Sequence, residues 1–280
     1  MSSWLLAVTC TTQECDTVTA LLCTFFPAGL EDNPNGINAF FSSPQDARLA
    51  LENLHQRAPS LRARIKEIAE RDWNAAWRTS IEPVEIAVNF WVSPEWKPPA
   101  LRGGEHWIKI EPKMTFGTGH HATTRLACRA LQDVAAKYTR PRVLDIGAGT
   151  GILCFLADKA GAGCCVGIEI DPCACENLAE NRRLNEIGGR IDLIVAAPDA
   201  LRSQKCFDII VMNIIRSRSE PLLSHVKRLL CRDGTFIWTG QLCEERDEII
   251  DAASAFGFIL IKSSTHEDWW CGEFDTWSGK

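Results

Sequence analysis

The alternation of apolar and polar positions divides the chain into a short leading stretch and a longer remainder. Up to about residue 68, strand-like runs at Trp4 to Val8, Ile37 to Phe41 and Ala63 to Ile68 alternate with helical periodicity at Cys15 to Phe26 and Pro44 to Arg57. Ser43 is placed to cap the second helix, and an added strand at Gly29 to Glu31 completes a βαββαβ order. That order predicts a small α+β ferredoxin-like domain over residues 1–68. It holds no glycine-rich turn, acidic cluster or histidine pair, so binding or scaffolding is expected of it. Trp73 and Trp77 then stand four apart and share one helical face, which predicts a helical linker at 69–80.

Residues 81–280 read as a second domain. Its opening, with strands Val84 to Val92 and His106 to Ile110 among several prolines, predicts an irregular extension. A glycine- and threonine-rich loop, Phe116 to Thr124, precedes an amphipathic helix from Arg125 to Lys137 that Thr123 or Thr124 would cap, and a lid is expected there. Strands at Val143 to Ile146, Val166 to Glu169, Asp192 to Val195, Phe207 to Met212 and Thr235 to Thr239 alternate with helices near Ile152 to Ala160, Cys175 to Asn185 and Glu244 to Phe256. A helix opening at Ser219 and Pro221 falls before the fifth of these strands. The alternation predicts an α/β, doubly wound, Rossmann-like sheet, and the closing runs Phe258 to Lys262 and Trp269 to Phe274 predict an antiparallel hairpin at its edge.

The chemistry concentrates at the first βαβ unit. Gly147 and Gly149 allow a turn that presses backbone against a flat ligand, and Gly151 admits the helix start. Glu169 lies 22 positions after Gly147, close to the ~20 expected of an acid that binds ribose hydroxyls. A dinucleotide fingerprint needs a third glycine where the chain has Ile152, so the pyrophosphate-binding version fails. Asn213 follows the fourth of these strands, where its side chain should face the same crevice as the glycine turn.

Composition narrows the partners. The 280 residues carry a formal net charge of −6, which disfavours tight nonspecific nucleic-acid binding. No apolar run is long enough to span a bilayer, and a soluble cytoplasmic protein is expected. Thirteen cysteines without C-x-x-C spacing suit small buried side chains in a reducing compartment. The pair His120-His121 lacks an acid or Cys at helical spacing, so no metal site is expected.

The pattern Asp145-x-Gly147-x-Gly149-x-Gly151 with a downstream acid resembles the S-adenosylmethionine site of class I methyltransferases. Together with Phe116-Gly117-Thr118-Gly119-His120-His121-x-Thr123-Thr124, Glu169-Ile170-Asp171-Pro172, Val211-Met212-Asn213-Ile214 and the Asp72-Trp73-x-x-x-Trp77 linker, it is similar over nearly the whole chain to the ribosomal protein L11 methyltransferase family. The resemblance implies S-adenosyl-L-methionine as cofactor, bound through Thr124, Gly147, Gly149, Glu169 and Asn213. It implies methylation of amino groups on ribosomal protein L11, free or ribosome-bound, which the leading module presents. Two departures stand out: Glu169 replaces a common Asp, and Arg216 follows Asn213-Ile214-Ile215 where a small residue is common soon after the Asn.

Asn213 is expected to orient the acceptor amine, the one catalytic role assigned, in a protein for which nothing demands more than a monomer. Two other readings stand beside this one. A class I enzyme acting on another protein, a small molecule or RNA is disfavoured for bases, because Asn213-Ile214-Ile215-Arg216 lacks the prolines and aromatic of N-P-P-Y. A nucleoside-binding adaptor would bind the cofactor and transfer nothing.

Overall fold

A computed structural model of the chain describes residues 3–25, 27, 29–33, 35–68, 81–113, 115–186, 190–202 and 204–276. Contacts divide it into two units, Met1–Ile81 and Glu82–Lys280. The helical linker expected at 69–80 falls outside the described residues.

The first unit runs β1 (Ser3–Thr9), α1 (Thr12–Cys23), β2 (Gly29–Asn33), β3 (Gly36–Phe41), α2 (Pro44–Arg57) and β4 (Arg62–Ile68). Its strands lie in the order β2-β3-β1-β4, all pairs antiparallel, which is the ferredoxin-like arrangement expected. Helix α2 begins where local chemistry sets it: Ser43 Oγ accepts the backbone N–H of Gln45 at 3.2 Å, and Pro44 opens the first turn. Helix α1 starts three residues ahead of its expected position because the Glu14 carboxylate accepts the Thr11 N–H at 2.8 Å, closing a capping box. Leu6, Val8, Ile37, Ala39 and Phe41 on one sheet face pack with Leu22, Ala47, Ala50 and Leu54 of the helices.

The second unit opens with β5 (Val84–Ala87), β6 (Phe90–Ser93) and β7 (His106–Lys109) in one small sheet. The run expected as a single strand breaks at Asn89, whose φ of 65° makes a tight reversal, and Gln132 clamps the turn by bonding both the N–H and the C=O of Val88. Next come α3 (Ala122–Ala135), β8 (Arg142–Ile146), α4 (Ile152–Lys159), β9 (Cys164–Glu169), α5 (Pro172–Leu184), β10 (Ile191–Val195) and β11 (Phe207–Asn213). Then follow α6 (Arg216–Ser219), α7 (Leu223–Leu229), β12 (Leu230–Leu242), α8 (Arg246–Ala255), β13 (Phe258–His266) and β14 (Trp269–Thr276).

The large sheet has the order β10-β9-β8-β11-β12-β14-β13, parallel except where β14 pairs with β12 and β13. This is the class I methyltransferase sheet with its antiparallel edge hairpin. Two apolar clusters cover its faces, one holding Leu131, Phe155 and Leu178, the other Leu223, Trp238 and Ile249. Strand order reverses between β8 and β11, so the crevice for a ligand opens beyond the carboxyl ends of those two strands.

Candidate active site

At that reversal the turn after β8 takes the conformation its glycines permit. Gly147, Gly149 and Gly151 have φ of 77°, 52° and 84°. A Cβ on Gly147 would lie 2.7 Å from Ile214 Cδ1, and one on Gly149 would lie 2.6 Å from the Phe116 carbonyl oxygen. The Gly147 and Ala148 N–H groups both donate to Ile168 O, which ties the turn to the end of β9.

Glu169 closes β9 and faces this turn. Its Oε2 accepts the Gly149 N–H at 3.0 Å, and its Oε1 accepts the N–H groups of Ile170 at 2.8 Å and Asp171 at 3.1 Å. Three backbone donors therefore fix the carboxylate while leaving lone-pair capacity toward the cavity. Helix α5 starts immediately after, with the Asp171 carboxylate accepting the Cys173 N–H at 2.9 Å.

The Thr115 to Gly119 loop docks onto the glycine turn. Thr150 donates its N–H to Phe116 O at 3.2 Å and its hydroxyl to Gly117 O at 2.6 Å. His121, rather than a threonine, caps α3: its Nδ1 accepts the Thr123 N–H at 3.3 Å, and its ring meets Phe116 and Trp269 edge-on at 5.3 and 4.9 Å. Thr123 lines the cavity. Thr124 lies one residue further on, fully buried, with a hydroxyl that has no partner among the described residues.

Asn213 ends β11, and its side-chain amide forms no hydrogen bond among the described residues. The backbone behind it is braced. Ile214 N–H donates to Thr239 O at 3.0 Å, Gln241 Nε2 donates to Ile214 O at 2.8 Å, and Trp238 Nε1 donates to Ser219 Oγ at 3.0 Å. Gly240, with φ of 101°, lets β12 approach Ile214, since a Cβ there would be 2.8 Å from its backbone.

Together these groups enclose a cavity of about 800 Å³, within the ~300–1,000 Å³ usual for small-molecule sites. Gly147, Gly149, Glu169 and Asn213 share its lining. Sequence reasoning missed the apolar wall of Ile170, Ala197 and Pro198, together with Arg218 and Trp269. Ile170 carried a signal only through its place directly after the strand-end acid Glu169. Trp269, a hundred positions from Glu169, carried none.

A second cavity of about 480 Å³ adjoins the first and shares Ile215, Gly240 and Trp269 with it. Glu220 and Glu245 also line it. Arg216 lines this second cavity, and its guanidinium is engaged by Glu220 at 3.0 Å and by Glu248. Beneath the glycine turn, Asp145 is wholly buried, and burial followed by the neighbouring Glu169 charge pushes its carboxyl up to about 7 against a hydrogen bond from Cys154. No cluster of three or more metal-ligating side chains occurs among the described residues, and no described helix is long and apolar enough to cross a membrane.

Comparison with known proteins bears on the family and the fold. The chain is 33% identical to a ribosomal protein L11 methyltransferase of Clostridium perfringens over 206 residues, 74% of this chain and 64% of that relative. It is 29% identical over 247 residues to one of Pelobacter propionicus, covering 84% and 79%. The chain thus spans less than two thirds of the length of the Clostridium relative. A crystal structure of a ribosomal protein L11 methylase from Lactobacillus delbrueckii subsp. bulgaricus superposes with a TM-score of 0.63 at 25% identity, covering 70% of this chain and 99% of that one. The family model described as "Ribosomal protein L11 methyltransferase (PrmA)" matches residues 7–276, and the chain belongs to that family.

Proposed function

We propose that the chain is an S-adenosylmethionine-dependent N-methyltransferase that methylates amino groups of ribosomal protein L11, on lysine side chains, the N-terminal amine, or both. The observation that carries this reading is the pairing of a carboxylate and an unpaired amide across one crevice: Glu169, bonded to Gly149, and Asn213, both lining the cavity at the strand-order reversal.

The residues fit the cofactor. The bare backbone at Gly147 and Gly149 admits a close, flat contact that any Cβ would obstruct. Glu169 offers acceptors to a ribose, and Ile170, Ala197 and Pro198 offer an apolar slot for a heteroaromatic ring. Of the other expected contacts, Asn213 lines the cavity and its amide is open to a ligand, whereas Thr124 lies outside the lining. S-adenosylmethionine, when bound, supplies a methyl group already activated on a sulfonium sulfur.

The work left to the protein is alignment and the exclusion of water. A lysine amine has a free pKa of ~10.4 and must lose a proton before it attacks. The apolar lining at Ile146, Ile214 and Ile215 disfavours its charged form, and the Asn213 carbonyl oxygen orients the N–H groups of the neutral amine. The second cavity, which shares Ile215, Gly240 and Trp269 with the first, is the approach we assign to the acceptor. We further read the protein as a cytoplasmic monomer that takes L11 free or ribosome-bound.

Incubation with methyl-labelled cofactor and purified ribosomal protein L11, followed by mass spectrometry, tests this. Mass shifts on L11 amino groups that disappear in Glu169→Ala and Asn213→Ala are expected. Cofactor binding with no transfer to L11 would overturn it.

A further inference from the structure

Among the described residues of the ferredoxin-like unit, both helices pack on one face of the sheet. Leu6, Val8, Ile37, Ala39 and Phe41 point to the helices, so the alternate residues of the same strands form the opposite face. Strand register lays that face out in rows. Lys66 stands beside Leu5, which stands beside Phe40, and Arg64 stands beside Ala7, then Asn38, then Glu31; Arg62 is paired with Thr9.

Charge on this face is sorted. Arg62, Arg64 and Lys66, three of the five basic residues before residue 69, lie on it along the edge strand β4. All three are exposed, and none forms an ion pair among the described residues. The acid Glu31 lies on the opposite edge strand, three strand spacings or about 14 Å away. Phe40 sits two strands in from the basic row, half-buried and outside the cluster that packs beneath the helices.

From this layout we propose that the open sheet face binds single-stranded nucleic acid, with its backbone along β4 and a base stacked on Phe40. Alternate residues of a strand repeat every ~7 Å, which matches a row of cations to successive phosphates of a stretched chain. An aromatic ring beside such a row provides the π-face that bases use whatever their identity. An acidic peptide would find the charges but would have no use for the ring. The negative charge of the whole chain keeps the contact weak, so it acts as an auxiliary grip and not as a high-affinity site. This inference is independent of the methyl-transfer reading, because every residue in it belongs to the first unit and none lines the candidate active site.

Fluorescence anisotropy of a labelled oligouridine titrated with the full chain at low salt tests it. Three phosphate contacts at about −0.7 each predict a slope near −2 for log K against log salt concentration. Arg64→Gln should flatten that slope by about 0.7, and the combined Arg62→Gln, Arg64→Gln, Lys66→Gln variant should abolish binding. Phe40→Leu, which keeps an apolar side chain without the ring, should weaken binding about fivefold or more with the slope unchanged. Comparable binding of oligodeoxythymidine supports recognition through phosphates and stacking. Binding by the triple variant equal to that of the original chain, or displacement of oligouridine by polyglutamate at equal charge, overturns the proposal. Thermal melting of each variant confirms that the unit is folded, and cofactor binding in the same variants reports separately on the methyltransferase reading.

Discussion

Replacing Gly149 by alanine separates backbone strain from loss of the cradle, because Gly161 provides a matched control. Both glycines have positive φ, 52° and 92°. At Gly161 an added Cβ meets nothing within 4 Å, so Gly161→Ala introduces conformational strain alone, about 1–2 kcal/mol. At Gly149 the same Cβ lies 2.6 Å from Phe116 O, the acceptor of the Thr150 N–H. Relieving that clash moves the loop and forfeits about 0.5–1.5 kcal/mol of hydrogen bonding in addition to the strain. For a domain of this size each kcal/mol corresponds to about 2–4 °C, so Gly149→Ala should melt about 3–14 °C below the original and Gly161→Ala about 2–8 °C. The larger separation is expected in ligand binding. Moving the Gly149 N–H away from Glu169 should weaken S-adenosylmethionine at least tenfold by calorimetry, about 1.4 kcal/mol, while Gly161→Ala binds normally. If Gly149→Ala keeps its affinity and melts no lower than Gly161→Ala, the turn is not the ligand cradle.

Three further outcomes follow from the same site. Glu169→Ala should weaken S-adenosylmethionine about thirtyfold or more, from the loss of charge-assisted hydrogen bonds at a partly exposed carboxylate; isothermal titration gives the number. Asn213→Ala should weaken S-adenosylmethionine about fivefold, the loss of one hydrogen bond of about 1 kcal/mol, and lower kcat by about a hundredfold, since misplacing the acceptor acts on the chemical step, and single-turnover transfer would show the split. Asp145 has its proton affinity raised by folding, from 3.8 to about 7, so the native state holds more protons than the unfolded state between those values. Its contribution to stability therefore falls as pH rises from about 4 to about 7, on the order of 4 kcal/mol in total. Asp145→Asn should remove that slope, which urea titrations of both proteins across the range would reveal as a difference curve.

What the sequence revealed was whatever local chemistry encodes. Helix α2 was legible from Ser43 to Arg57 because its cap, its proline and its apolar stripe are all contiguous. The glycine turn and Glu169 were legible because a βαβ unit fixes their spacing. The start of α1 was misplaced because the Thr11–Glu14 box lies ahead of the apolar stripe. The strand expected from Val84 to Val92 is apolar apart from Glu85 and Asn89, and the positive φ at Asn89 and the Gln132 clamp, 44 residues away in sequence, make it a hairpin. The cap of α3 fell to His121 because its imidazole reaches the Thr123 N–H, a role that threonine frequency favours for Thr123 or Thr124. Trp269 and Arg218 reach the cavity through sheet order and chain reversal, which no short window of residues records.

Gly240 belongs to the walls of both adjoining cavities, and its missing side chain leaves room for the Ile214 backbone. A single methyl at that position would press on the Ile214 backbone, which follows Asn213 and lines the larger cavity. In the methyltransferase proposed here, a strand that holds no reacting group would thus help shape the wall against which the acceptor is held.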